Sequence, residues 1–214
     1  LAGWPLEVAG WVGALTAVAG AAIALGQSDL KRVLAGSTTS QLGLMFVGAA
    51  AGGPAVAIFH LIAHAAGKGG MFLATGVFQH NRGSTALARL RGAGRDDRAA
   101  FAGFAIGALS IAAVPPLAAF WSKEHVAAAA EEVRVVWFAL VLVSAAGSAA
   151  YLLRPALVLW GRRGEERTQP AAAGRPAMLA GVTALGAGAL GLVAVGDPLA
   201  DLLGAPSLPI SALI

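Results

Sequence analysis

His60, His64 and Lys68 recur at every fourth position inside the otherwise apolar run FHLIAHAAGKGGMFLATGVFQ. A helix advances about 100° per residue, so the three side chains stack along one face, a turn apart. The run is long enough to cross a bilayer, which sets a lysine near mid-depth. An ammonium in hydrocarbon costs on the order of 3 kcal/mol or more, so such a residue normally faces a bundle interior or a wet path. The chemistry these residue types support is proton transfer. Histidine titrates near neutrality and can pass a proton between its two ring nitrogens, while a conducting lysine must both accept and release one. A His–His–Lys row with intervening water is a plausible wire. Two other readings compete with it. One is a packing or anchoring role for the lysine. The other is a metal site on the i, i+4 histidine pair, which lacks both a HExxH glutamate and a third ligand nearby.

The elements that must hold this row follow from composition. The chain has 214 residues, 57% hydrophobic and only 12% charged, with a mean hydropathy of +0.74; soluble domains carry roughly 25% charged residues. The fold class is an all-α polytopic membrane protein. With no cysteine, iron–sulfur clusters, thiolate metal sites and disulfides are excluded within the chain. The pI near 10.3 does not indicate nucleic acid, because the basic residues sit in short loops between apolar spans. Six spans are expected, at about 6–26, 33–51, 54–79, 99–127, 135–160 and 177–195. The fourth is long for a simple crossing and carries Pro115-Pro116, which must break the helix. Broken helices at membrane depth are tolerated only where the freed backbone is buried or lines a cavity. Lys123 and Glu124 fall just past this break.

Charge fixes an expected orientation. Lys31 and Arg32 lie between the first two spans. Arg82, Arg89, Arg91, Arg95 and Arg98 lie between the third and fourth, and Arg162, Arg163, Arg167 and Arg175 between the fifth and sixth. Alternate loops hold almost no net positive charge, so the basic loops are assigned to the cytoplasmic side. Arg154 is expected to snorkel near the inner end of the fifth span. Residues 1–196 are read as a membrane domain and 197–214 as an outer-side loop or the start of a further segment. The chain starts almost directly in a span, stops on an apolar tail, and reads as a fragment of a longer polypeptide.

Three ordered stretches, DLKRVLAGSTTSQLGLMF, AIFHLIAHAAGKGGMFLATG and ALSIAAVPPLAAFWSKEHV, resemble the signatures of the antiporter-like proton-translocating membrane subunits. That family includes the NuoL-type subunit of respiratory complex I, an NADH:quinone oxidoreductase, and the large subunits of Mrp sodium/proton antiporters. Related subunits occur in membrane-bound hydrogenases and bicarbonate-accumulating complexes. FWSK after the prolines, and AYLLRPALVLWGRR, look most like the NuoL type. The resemblance implies the C-terminal half of an antiporter-like fold, with the family's glutamate–lysine pair and first broken helix upstream. It implies a pathway on His60, His64, Lys68, Lys123 and Glu124, the last standing where the family usually has Asp. It also implies a chain with no cofactor of its own: NADH, FMN, iron–sulfur clusters and quinone belong to partner subunits of a multisubunit complex in a bacterial inner membrane.

Supporting roles are expected of Asp29 and Lys31, chiefly in capping and orienting the inner loop, and of Ser37, Thr38 and Gln41, which with Thr39 and Ser40 give the second span a polar stripe. His80 is expected at the surface. Departures from the family pattern are concentrated in packing residues. Ala66-Gly67 and Gly69-Gly70 flank Lys68 in place of aromatics and Ala-Leu, and Gly36 and Leu44 replace tyrosines. Closer helix approach, a wetter path and a degenerate paralogue are the three readings of that change. Gly186, Gly188 and Gly191 fit a dinucleotide pattern, but inside an apolar span they are read as small residues for helix packing.

Overall fold

A computed structural model describes residues 3–162 and 175–194. The described chain is helical: α1 (Trp4–Gly26), α2 (Leu30–Gly52), α3 (Pro54–Arg82), α4 (Ala93–Asp96), α5 (Arg98–Ile111), α6 (Ala118–Val133), α7 (Val135–Trp160) and α8 (Arg175–Ala194). Five of these, α1, α2, α3, α7 and α8, are long and apolar enough to cross a membrane. The remaining crossing, the fourth along the chain, is the broken one. At 1.5 Å per residue α5 spans only about 21 Å, short of the roughly 30 Å hydrocarbon layer, and α6 completes it. Residues 197–214, the end of the sixth span at 195, and most of the 161–176 linker lie outside the described residues.

The helix ends follow from local chemistry. Asp29 caps α2, its carboxylate accepting from the Arg32 amide at 3.1 Å, which moves the start of that helix out from 33 to 30. Gly83, at φ 65°, ends α3 in the left-handed conformation that glycine adopts without strain. Between α5 and α6, Ala113 holds φ 61°, an uncommon conformation for a residue with a Cβ. The chain resumes as helix at Ala118.

Packing is close because small residues face one another, as membrane helix pairs require. A Cβ on Gly13 would lie 2.7 Å from the Gly43 carbonyl, so α1 and α2 meet almost backbone to backbone. A Cβ on Gly107 would lie 2.5 Å from the Gly67 carbonyl and 2.8 Å from Met71 Cγ. Gly67 therefore marks a close α3–α5 crossing, which favours the close-approach reading of the glycines around Lys68. Gly107→Val is expected to destabilise the bundle by about 1–3 kcal/mol through overpacking, measurable as loss of assembled complex on detergent extraction. By contrast, among the described residues nothing lies within 4 Å of a Cβ placed on Gly188 or Gly191, and no close helix approach is seen at them.

Two apolar clusters divide the bundle by depth. One gathers Leu30 and Leu34 of α2, Met71 and Phe78 of α3, Phe104 and Ile111 of α5, and Leu159 of α7. The other gathers Ala14, Val47, Val56, Val126 of α6 and Trp137. α5 thus lies in the half toward the basic loops and α6 in the opposite half. The basic loops converge at one end. Arg154 donates to the Leu25 and Gln27 carbonyls at 2.9 and 3.1 Å, closing the C-terminus of α1, and Arg175 bonds Asp97 at 2.9 Å. At the other end Arg134 pairs with Glu7.

Candidate functional site

α3 carries the row through the interior. His60, His64 and Lys68 are 0%, 6% and 5% exposed, and Lys123 on α6 is 4% exposed; these are depths at which charged groups occur only when paired or functional. The imidazoles of His60 and His64 stack at 6.4 Å between centroids, 30° from parallel. His60 Nδ1 lies 2.9 Å from the Ser122 hydroxyl, and Ser122 is the residue before Lys123. The α3 row thus meets α6 at Ser122, one position before Lys123. At the other end of the row, Lys68 Nζ donates to the Leu34 carbonyl of α2 at 2.9 Å. Thr38 Oγ1 donates to the same carbonyl at 3.0 Å.

The position of Lys123 follows from the proline break. In an unbroken helix the Ile111 carbonyl would accept from residue 115, which is proline and has no N–H. Lys123 Nζ occupies that acceptor at 2.6 Å, and Ser148 Oγ of α7 reaches it at 3.2 Å. Lys123 also donates to Ser148 at 2.7 Å. The backbone freed by the break is the anchor of the lysine.

A second polar face lies on α7, and sequence reasoning missed it. Ser144, Ser148 and Tyr151 recur at i, i+4 and i+7 and are all buried. The Tyr151 hydroxyl accepts from Ser37 at 2.9 Å and from Gln41 Nε2 at 3.2 Å, and Ser144 shares a 2.9 Å bond with Ser40. The polar stripe of α2 is thus spent largely on α7. The signal was legible in VLVSAAGSAAYLL, whose polar positions keep helical spacing. Tyr151→Phe leaves Ser37 and Gln41 without their acceptor and is expected to lower stability by about 1–3 kcal/mol, read as a reduced thermal midpoint of the solubilised complex.

Several buried atoms have no protein partner among the described residues: His60 Nε2, His64 Nδ1, Gln41 Oε1 and Ser110 Oγ. Ser110 lies on the same α5 face as Gly103 and Gly107. Buried polar atoms in native proteins are satisfied by protein or by water, and a 6.4 Å ring separation is too long for a direct bond. The two rings therefore do not bond each other directly.

One of the expected pathway residues, Glu124, and one of the expected supporting residues, Lys31, lie off the buried row. Glu124 is exposed and lines a cleft of about 420 Å³ with His125, Val56 and Glu132. It follows Lys123 by one position, which rotates it about 100° around α6 and off the buried face. Lys31 is likewise exposed, in the first turn of α2. Asp29 joins the loop and not the row: Thr85 donates to its carboxylate at 2.5 Å, and Leu30 N donates to the Thr85 carbonyl at 2.8 Å. Burial pushes the Asp29 carboxyl up, but the Thr85 hydroxyl, the amides of Arg32 and Lys31 and the Arg32 charge outweigh it and hold it below its ordinary range. His80 is exposed, as expected. His125, half-buried, was not foreseen; its Nδ1 lies 2.8 Å from the Trp121 carbonyl and its ring meets Phe59 edge-on at 6.1 Å. Among the described residues no three His, Cys, Asp or Glu side chains gather as a metal site would require.

Comparison with known proteins decides the family. Residues 2–148 match the transmembrane family described as NADH:quinone oxidoreductase/Mrp antiporter. The chain belongs to that family. NAD(P)H-quinone oxidoreductase chain 5 of Picosynechococcus sp. is 40% identical over 159 residues, covering 70% of this chain and 24% of the relative. The chloroplastic subunit 5 of Spinacia oleracea is 38% identical over 130 residues, covering 56% and 18%. This chain spans about a quarter or less of the length of those relatives. A chain of respiratory complex I from Thermus thermophilus superposes with TM-score 0.77 at 32% identity, covering 93% of this chain and 46% of that one. A chain of the Mrp complex from Dietzia sp. superposes with TM-score 0.82 over the same shares at 22% identity, a likeness of fold alone. The antiporter-like fold and the multi-pass membrane class follow directly.

Proposed function

We propose that this chain conducts protons across the membrane as part of a proton-pumping subunit of an NADH:quinone oxidoreductase. The route runs along Lys68, His64 and His60, crosses at Ser122 to Lys123, and uses water between the rings. The observation that carries the reading is the approach of two buried basic groups on different helices, His60 lying 2.9 Å from Ser122, the residue before Lys123. The partner-less ring nitrogens of His60 and His64 support exchange with water and not a fixed structural bond. The quinone oxidoreductase names of the relatives at 38 and 40% identity favour coupling to quinone reduction over a sodium gradient. Electron transfer from NADH through FMN and iron–sulfur clusters to quinone belongs, in this reading, to partner subunits. The end where the basic loops converge faces the cytoplasm of a bacterial inner membrane.

The test is proton movement across vesicles carrying the full parent complex, followed with a pH-sensitive dye on NADH addition. A pH gradient that builds with NADH oxidation and collapses with a protonophore is expected. No NADH-driven gradient, together with proton movement driven by a sodium gradient, would overturn the respiratory reading and assign the pathway to a cation/proton antiporter.

A further inference from the structure

The four residues Arg95, Arg98, Trp160 and Arg162 line a pocket of about 410 Å³ at the basic end of the bundle. They come from α4, the start of α5 and the end of α7, so the pocket exists only where these elements meet. Its wall is pre-organised. Arg95 Nε donates to the Trp160 carbonyl at 2.7 Å, its guanidinium lies 5.6 Å from the indole centroid, and the indole stacks on Phe101 at 4.7 Å. The carboxylates of the same segment are committed elsewhere: Asp96 pairs with Arg82, and Asp97 pairs with Arg175 and caps the Ala100 amide. Three guanidinium groups therefore share one pocket with no carboxylate among its described lining.

A second cavity, about 300 Å³, lies between the same two helices, α5 and α7, and is lined by Ala105, Leu109, Val114, Ala149, Leu153 and other apolar side chains. On α5 these residues begin seven positions beyond Arg98, and on α7 they lie 4 to 11 positions before Trp160. At 1.5 Å per residue the groove starts roughly 6–10 Å deeper in the membrane than the basic pocket. A basic, tryptophan-walled pocket at the interface above an apolar groove has the shape and charge of one ligand class. Guanidinium groups bind phosphate oxygens bidentately, and basic pockets between membrane helices hold anionic headgroups.

We infer that the α5–α7 face binds one anionic diacyl phospholipid, its phosphate held by Arg95, Arg98 and Arg162 and an acyl chain lying in the groove toward Val114. An acidic segment of a partner subunit would match the arginines but not the apolar groove continuing into the bilayer. None of the residues lining the pocket or the groove is His60, His64, Lys68 or Lys123.

The experiment places the photo-reactive p-benzoylphenylalanine at Leu153 in the full parent complex, reconstituted with phosphatidylglycerol as a minor component in phosphatidylcholine. After irradiation the cross-linked species is identified by mass. Phosphatidylglycerol enriched on the order of tenfold over its bulk share is expected, and Arg95→Gln, Arg98→Gln and Arg162→Gln together should return the cross-link to bulk composition. The same probe at Ile23, exposed on α1 and lining neither cavity, should give no enrichment. Cross-linking at bulk composition in the unsubstituted complex, equal enrichment after loss of the arginines, or cross-linking mainly to another polypeptide would each overturn the lipid assignment. The three arginines are exposed, and retained NADH-driven gradient formation checks that the triple variant is folded.

Discussion

Lys68→Ala is expected to lower proton flux on the order of 100-fold, the scale of a lost positioned proton-transfer group, while leaving the complex assembled. Lys68 is buried on α3 with one hydrogen bond, to a backbone carbonyl, and no carboxylate pairs with it among the described residues. Removing an uncompensated buried cation relieves a desolvation penalty of several kcal/mol, which offsets the cavity left by the shorter side chain. Stability should therefore change little although function is lost. Lys68→Arg separates charge from proton transfer: guanidinium keeps the positive charge but does not deprotonate, so flux should stay near the alanine level. NADH-driven gradient formation, with quinone reduction measured in parallel, reads both variants. Wild-type flux in Lys68→Ala would remove the lysine from the pathway. Restored flux in Lys68→Arg would show that charge alone is required.

Lys123→Ala is expected to do two things at once. Flux should fall by a similar factor, because the row reaches α6 at Ser122 and its next titratable group is Lys123. The broken crossing should also weaken. Lys123 satisfies the Ile111 carbonyl at 2.6 Å and bridges it to Ser148 of α7 at 2.7 Å; without the ammonium, Ser148 alone reaches that carbonyl. Leaving such a buried acceptor under-satisfied costs about 1–3 kcal/mol. Lys123→Met, which keeps most of the bulk, should lose flux as fully but show the same weakening from the lost bonds. Thermal unfolding of the solubilised complex and protease sensitivity at 112–117 measure the structural part, and gradient formation measures the rest. An intact melting profile with lost flux would confine Lys123 to proton transfer. A destabilised complex that still pumps would make it a structural clamp.

Much of this protein was legible along the chain because membrane helices carry strong one-dimensional signals. Hydrocarbon forces each crossing to satisfy its own backbone, so apolar length alone located five crossings and Pro115-Pro116 exposed the broken fourth. The three-turn row on α3 was equally readable, because helical spacing puts His60, His64 and Lys68 on one face whatever surrounds them. What the sequence could not decide was which neighbour each face meets. Glu124 and Lys31 sit beside functional or capping residues in the chain, yet one residue is about 100° of rotation, and both turn outward. Tyr151 was passed over because its partners, Ser37 and Gln41, are more than a hundred positions away, a pairing only helix packing creates. The glycines around Lys68 left three readings open until Gly67 was seen against Gly107 of α5. The anchor of Lys123 also needed three dimensions. The prolines announce a missing donor, but only the folded chain shows the lysine and Ser148 filling it. Sequence thus determined the elements, their number and the residues able to move a proton. Tertiary structure decided which of those residues meet, because contact between helices depends on rotation and depth that no local spacing encodes.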